Sequence, residues 1–163
     1  MLAAAATTTA AASGPGDDEI AHIVVTANNI DIEAGKLAQS KSQNKEVKDF
    51  AKQMVTDHSA VNKQATDLAK KLKVKPKDNS TSKSLMDGAK ENIANLKGLK
   101  GVEFDKAYVD HEVAYHVAVA DAIDKTLIPS AKNEELKALI VKVRPAFVAH
   151  LEHAKSLQSK LTK

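Results

Sequence analysis

The sequence predicts an all-α protein, a four-helix bundle with one extra helix in the connection between helices two and three. Three observations support this. Apolar residues recur three and four apart, the spacing of one helix face, over four segments of about 25–30 residues. No run alternates apolar and polar residues for long enough to form a sheet. The composition, 28% charged and rich in Ala, Leu, Lys and Glu, leans helical.

Residues 1–16 carry no charged side chain and are mostly Ala and Thr. They lack the basic start and leucine-rich centre of a complete secretory signal, and read as a signal-peptide remnant or a flexible leader. Residues 17–163 then form a single domain. Gly14-Pro15-Gly16 breaks the chain, and Asp17, Asp18 and Glu19 suit a first helical turn. Helix one is expected from about 17 to 42, with the seam Ile20, Ile23, Ala27, Ile30, Ala34, Leu37. Asn44 caps helix two, which runs to about 73 through Val47, Ala51, Met54, His58, Val61, Ala65, Leu68 and Leu72.

A break at 73–80 leads to Ser82–Lys97, whose Leu85, Ala89 and Ile93 mark a helix ~24 Å long at 1.5 Å per residue. That length lets it carry the chain from one end of the bundle back to the other. Alternatively it extends helix three, hinged at Gly98–Gly101. Helix three, about 102 to 127, presents Phe104, Tyr108, Val109, Glu112, Tyr115, His116, Val119 and Ile123, and Pro129 stops it. Helix four, about 132 to 161, carries Leu136, Ile140, Val143, Phe147, His150, Ala154, Leu157 and Leu161.

Composition removes several function classes. The chain has no cysteine, which excludes disulfides, iron–sulfur clusters, thiolate zinc sites and cysteine nucleophiles. The net charge is only +3, and Arg144 is the one arginine, so sequence-specific nucleic-acid recognition is not expected. Lys70–Lys77 concentrates lysines at the end of helix two, a solvated helix end or a weak contact with an anionic surface. No strand–turn–helix nucleophile motif supports Ser/His/Asp hydrolysis. No apolar stretch reaches the ~20 residues of a membrane span.

Two of the six histidines, His58 and His150, interrupt apolar seams, and His116 lies one turn after Glu112 on the broad face of helix three. All three fall near mid-helix, so they share a level whichever way the helices run. Each buried imidazole needs partners for two nitrogens. A transition metal satisfies one nitrogen from each, with Glu33, Asp57 or Glu112 as the assisting carboxylates and Asp105 further off. A structural His/Glu/Tyr hydrogen-bond network involving Tyr108 and Tyr115 is the alternative. His153 stands a chelating spacing after His150, and His111 flanks Tyr115; His22 reads as a surface residue. Met54, one turn before His58, is either core filling or a copper-type thioether. Pro145 removes a backbone bond within helix four and predicts a bend ahead of His150.

Glu33-Ala-Gly-Lys-Leu-Ala38, Val47-Lys-Asp-Phe-Ala51, Met54-Val-Thr-Asp-His-Ser59, Phe104-Asp-Lys-Ala-Tyr108, His116, Pro145 and His150-Leu151 occur in this order. They resemble the bacterial family named domain of unknown function 4142, over about residues 20–160. The resemblance implies a ferritin-like bundle, exported to the periplasm or cell envelope, and brings no reaction with it. It implies that His58, His116 and His150 are motif positions. Di-iron ferritin-like proteins carry Glu-x-x-His on helices two and four, whereas Val55 and Phe147 stand three residues before His58 and His150. A histidine-rich site for one zinc, copper, nickel or iron ion is therefore the expectation, with a sequestration, stress-protection or redox role. Without a metal, the chain reads as a non-enzymatic envelope or stress-response module. Self-association into a homo-oligomer is left open.

Overall fold

Asparagine caps and glycine breaks divide the chain into helices, in a computed structural model that describes residues 14–162. The elements are α1 (Asp17–Lys41), α2 (Lys45–Lys71), α3 (Ser80–Lys97) and α4 (Gly101–Ala122), which runs into a π-helical turn (Ile123–Leu127) and a single turn, α5 (Ile128–Ser130), before α6 (Glu134–Leu161). Every regular element among the described residues is helical, and none of these helices is long and apolar enough to cross a membrane. The predicted leader lies outside the described residues, apart from Gly14–Gly16.

Asn44, Asn79 and Asn133 accept hydrogen bonds from backbone N–H groups in the first turns of α2, α3 and α6. The α3 cap starts that helix two residues earlier than its apolar spacing suggests. Asp17 serves α6 from a distance: its carboxylate accepts from the N–H groups of Lys132 (2.9 Å) and Asn133 (3.0 Å). Gly101 opens α4 at φ +58°, a backbone conformation that favours glycine. The π turn directly precedes Pro129, where a regular helix would meet the proline ring. The helix ends one residue beyond that proline. Pro145 is accommodated inside an unbroken α6.

Polar contacts fix the helix directions. Lys71 pairs with Glu135 at one end (2.8 Å) and Lys160 with Glu46 at the other (2.8 Å), so α2 and α6 run antiparallel. At its start, α3 is held to α1 by Lys77 N–H donating to the Asp18 carbonyl (2.9 Å). At its finish, Lys41 Nζ donates to the carbonyls of Leu96 (3.1 Å) and Lys97 (2.8 Å). The α3 helix therefore runs parallel to α1 and returns the chain along its length; it does not extend α4. Ser42 donates to Asp105 (2.5 Å) where α4 begins, and Tyr115 OH donates to the Ala27 carbonyl (2.9 Å), so α4 descends antiparallel to α1.

The most extensive helix packing is between α1 and α2, and Gly35 contributes to it. A Cβ on Gly35 would stand 2.9 Å from Val55 Cγ2 and 3.0 Å from the Ala51 carbonyl oxygen. The apolar core is in two parts. One, around Phe50, Met54, Phe104 and Tyr108, fills the end near Ser42. The other, around Ile20, Ile23, Val119, Ile140 and Phe147, fills the end near Asp17. Between them lies a layer of buried polar side chains: Asn28, Asp31, His58, Glu112, His116 and His150.

Candidate metal centre

The mid-helix seams of α2, α4 and α6 bring His58, His116 and His150 together, with exposures of 1%, 0% and 3%. Their ring centroids form a triangle with sides of 5.8, 5.1 and 5.8 Å. One candidate ligand atom from each ring lies within 4.8 Å of the other two.

The outer nitrogen of each ring determines what the inner one can do. Asn28 donates through Nδ2 to the Val24 carbonyl (2.8 Å), which leaves Oδ1 facing His58 Nδ1 at 2.7 Å. An amide oxygen only accepts, so Nδ1 carries the proton and Nε2 keeps its lone pair. His116 Nδ1 faces the Glu112 backbone carbonyl at 2.9 Å, with the same result. His150 reverses the nitrogens: Nε2 faces an Asp57 carboxylate oxygen at 2.8 Å, leaving the lone pair on Nδ1. The three inner atoms, His58 Nε2, His116 Nε2 and His150 Nδ1, are buried and have no hydrogen-bond partner. Orientation of a ligating imidazole through its other nitrogen is the usual arrangement around a bound metal.

Two carboxylates adjoin this triangle. Asp31 on α1 is fully buried, with Oδ2 3.3 Å from His58 Nε2. Glu112, 1% exposed, reaches within 3.5 Å of His116 Nδ1. Together with His116 they form a second set whose ligand atoms lie within 4.8 Å of one another. Burial pushes the Glu112 carboxyl up to about 8. Burial, reinforced by the neighbouring Glu112, raises Asp31 well above the usual carboxylate range. His58 is pushed down to about 2 by burial and by the other two histidines. Burial also lowers His116 to about 4, partly offset by the hydrogen bond to the Glu112 carbonyl. Near neutral pH the metal-free site therefore combines neutral His58 and His116 rings with a protonated Glu112 carboxyl.

The structure does not bring Glu33 to this layer. Its side chain is exposed and lines a groove between α1 and α3 that also contains His22. Helix one supplies Asp31 instead, a residue legible as the acid four after Ala27 and three before Ala34 in the seam. Asn28, next to that seam, was the other omission. Asp57 is 41% exposed and acts from outside, orienting His150. Tyr115 bonds the Ala27 carbonyl rather than an imidazole or Glu112, while the buried Tyr108 hydroxyl has no partner.

His153 lies outside the layer, near Gln53 (3.3 Å) and edge-on to Phe50. His111 stacks on Tyr115, and His22 bonds Ser82 and Asp78. Met54 packs in the apolar core at the Ser42 end. Asp105 pins the α1–α2 connection to α4 through Ser42.

A donor set of imidazoles and carboxylates without thiolate suits zinc, copper, nickel or iron. A family model described as "Domain of unknown function (DUF4142)" matches residues 2–157. No curated protein and no solved structure matches the chain.

Proposed function

We propose that this chain, which belongs to the family described as domain of unknown function DUF4142, binds one transition-metal ion in its core through His58, His116 and His150, with Asp31 and Glu112 as adjoining carboxylates. The carrying observation is the set of three buried, unpartnered lone pairs, each held in place by an acceptor on the opposite ring nitrogen. A metal would supply the positive charge that this set of acceptors lacks.

The layout we assign is ferritin-like. It is supported by the order of directions, α1 up, α2 down, α3 crossing back, α4 down and α6 up, and by polar groups at mid-height on facing helices. The donor set differs from the di-iron carboxylate pattern in having three histidines and no Glu-x-x-His pair. We therefore favour sequestration or redox buffering of a single ion, in an exported stress-protection role, over iron storage.

Metal-free protein titrated with Zn(II), Cu(II), Ni(II) and Fe(II) tests the proposal. The wild type should take up a single equivalent of at least one of these ions. His58→Ala should abolish stoichiometric uptake with the helical circular-dichroism signal intact. Equal uptake by the variant, or none by the wild type, would reduce the layer to a hydrogen-bond network.

A further inference from the structure

On the Asp17 side of the polar layer lies a cavity of about 150 Å³. Its walls are almost entirely apolar, including Ile23, Val119, Ile140 and Val143, and its exposed members, Thr81 on α3 and Ala118 on α4, mark the open side. At the inner end, two wall residues are shared with the histidine layer. Phe147 stands 5.1 Å from the His58 ring and 5.8 Å from the His116 ring, centroid to centroid, and Asn28 holds His58 Nδ1. The Asn28 amide is already engaged with Val24 and His58, so the inner end offers little polar recognition.

A void lined by Ile, Leu, Val and Phe does not hold ordered water, because water needs two or more polar partners. An engineered cavity of about this volume in another protein stays dry and takes up benzene or xenon. From the cavity's size, its lining and its position against Phe147, we infer that it is a binding site for small uncharged apolar molecules, from diatomic gases to benzene-sized rings. They enter between α3 and α4 and press on the aromatic wall that backs the histidines. The inference does not depend on the metal.

The test uses the metal-free full chain with benzene as the probe, followed in methyl and histidine NMR spectra. The Ile23, Val119 and Ile140 methyls should shift saturably, and the His58 and His116 ring protons should follow at the same midpoint because Phe147 is their shared neighbour. Ala122→Phe places a ring in the cavity from a half-buried position on α4. It should weaken benzene binding at least tenfold without lowering the melting temperature. Ala118→Phe, on the exposed rim, should give the same loss if Ala122→Phe fails to fold. Shifts that grow linearly without saturation, or saturable binding retained in either folded variant, would overturn the inference. A metal titration that fails leaves this result unchanged, so the two readings are separable.

Discussion

Raising the pH from 6.5 to 8 should destabilise the metal-free protein, and Glu112 gives the size of the effect. A glutamate ordinarily near 4.5 stands at about 8 here, so between those values the folded chain holds a proton that the unfolded chain has released. As pH rises, stability falls wherever the folded state binds more protons, by up to about 1.4 kcal/mol per pH unit for one such group. Below 6.5 the histidines oppose this slope. His58 and His116, held at about 2 and about 4 in the fold, are protonated only in the unfolded chain there, which favours unfolding as pH drops. At 6.5 an unfolded histidine is still half protonated, so that opposition fades over the next pH unit, and comparison with Glu112→Gln isolates the carboxyl. Glu112, titrating together with the raised Asp31 beside it, contributes a loss of roughly 1.5 kcal/mol from pH 6.5 to 8. Urea unfolding in the presence of a chelator, at half-unit pH steps, measures the slope. Glu112→Gln cannot ionise and should remove its share of the decline. Stability that rises across the window, or an identical slope in Glu112→Gln, would refute the reasoning.

Three further predictions probe other links. Gly35→Ala gains helix propensity of about 1 kcal/mol but drives a methyl into the Val55 side chain and the Ala51 carbonyl. A net loss of about 1–2 kcal/mol in chemical denaturation is expected, and a more stable variant would contradict the close α1–α2 approach. Lys73 closes α2 at φ 57°, with Val74 N–H bonded to the Ala69 carbonyl (2.9 Å) and Lys73 N–H to the Lys70 carbonyl (3.2 Å). This is a position that usually carries glycine, so Lys73→Gly should stabilise by about 0.5–1 kcal/mol. Asn28→Leu releases the His58 tautomer and should weaken metal binding by about 10–100-fold with the helices preserved; affinity unchanged in calorimetry would show that the amide orients nothing.

The long helices were legible because each carries its own apolar period and stop signals, so Asn44 and Pro129 fall within two residues of real boundaries. The histidines were legible for the same reason: a polar residue in an apolar seam stands out. Asp31 was harder to find. Helix one is buried over a face wide enough to include Ile30, Asp31, Ala34 and Gly35, because α2, α3 and α4 all pack on it. A single seam of threes and fours does not define so broad a face, and Glu33 and Asp31 lie on opposite sides of its edge. Whether 82–97 crossed back or extended helix three depended on Lys41 and Asp18 capturing its two ends, which are contacts between residues about 55–60 positions apart.

In a purely structural network the three inner nitrogens draw on the hydrogens of Asp31, Glu112 and Tyr108. If both carboxyls keep theirs, Asp31 can donate to His58 Nε2 across the 3.3 Å that separates them, and Glu112 and Tyr108 bring one hydrogen each. No carboxyl is paired with the inner nitrogen of His150, since Asp57 is already on the outer one. A metal ion held by the three histidines would engage that lone pair together with those on His58 Nε2 and His116 Nε2. If the ion also draws on Asp31 or Glu112, its binding releases their protons. Metal affinity should then climb between pH 6.5 and 8, the interval over which the metal-free fold weakens. Opposite slopes in the two titrations would mark one site with two alternative occupants, proton or metal. Parallel slopes would mean that the carboxyls and the histidines act separately.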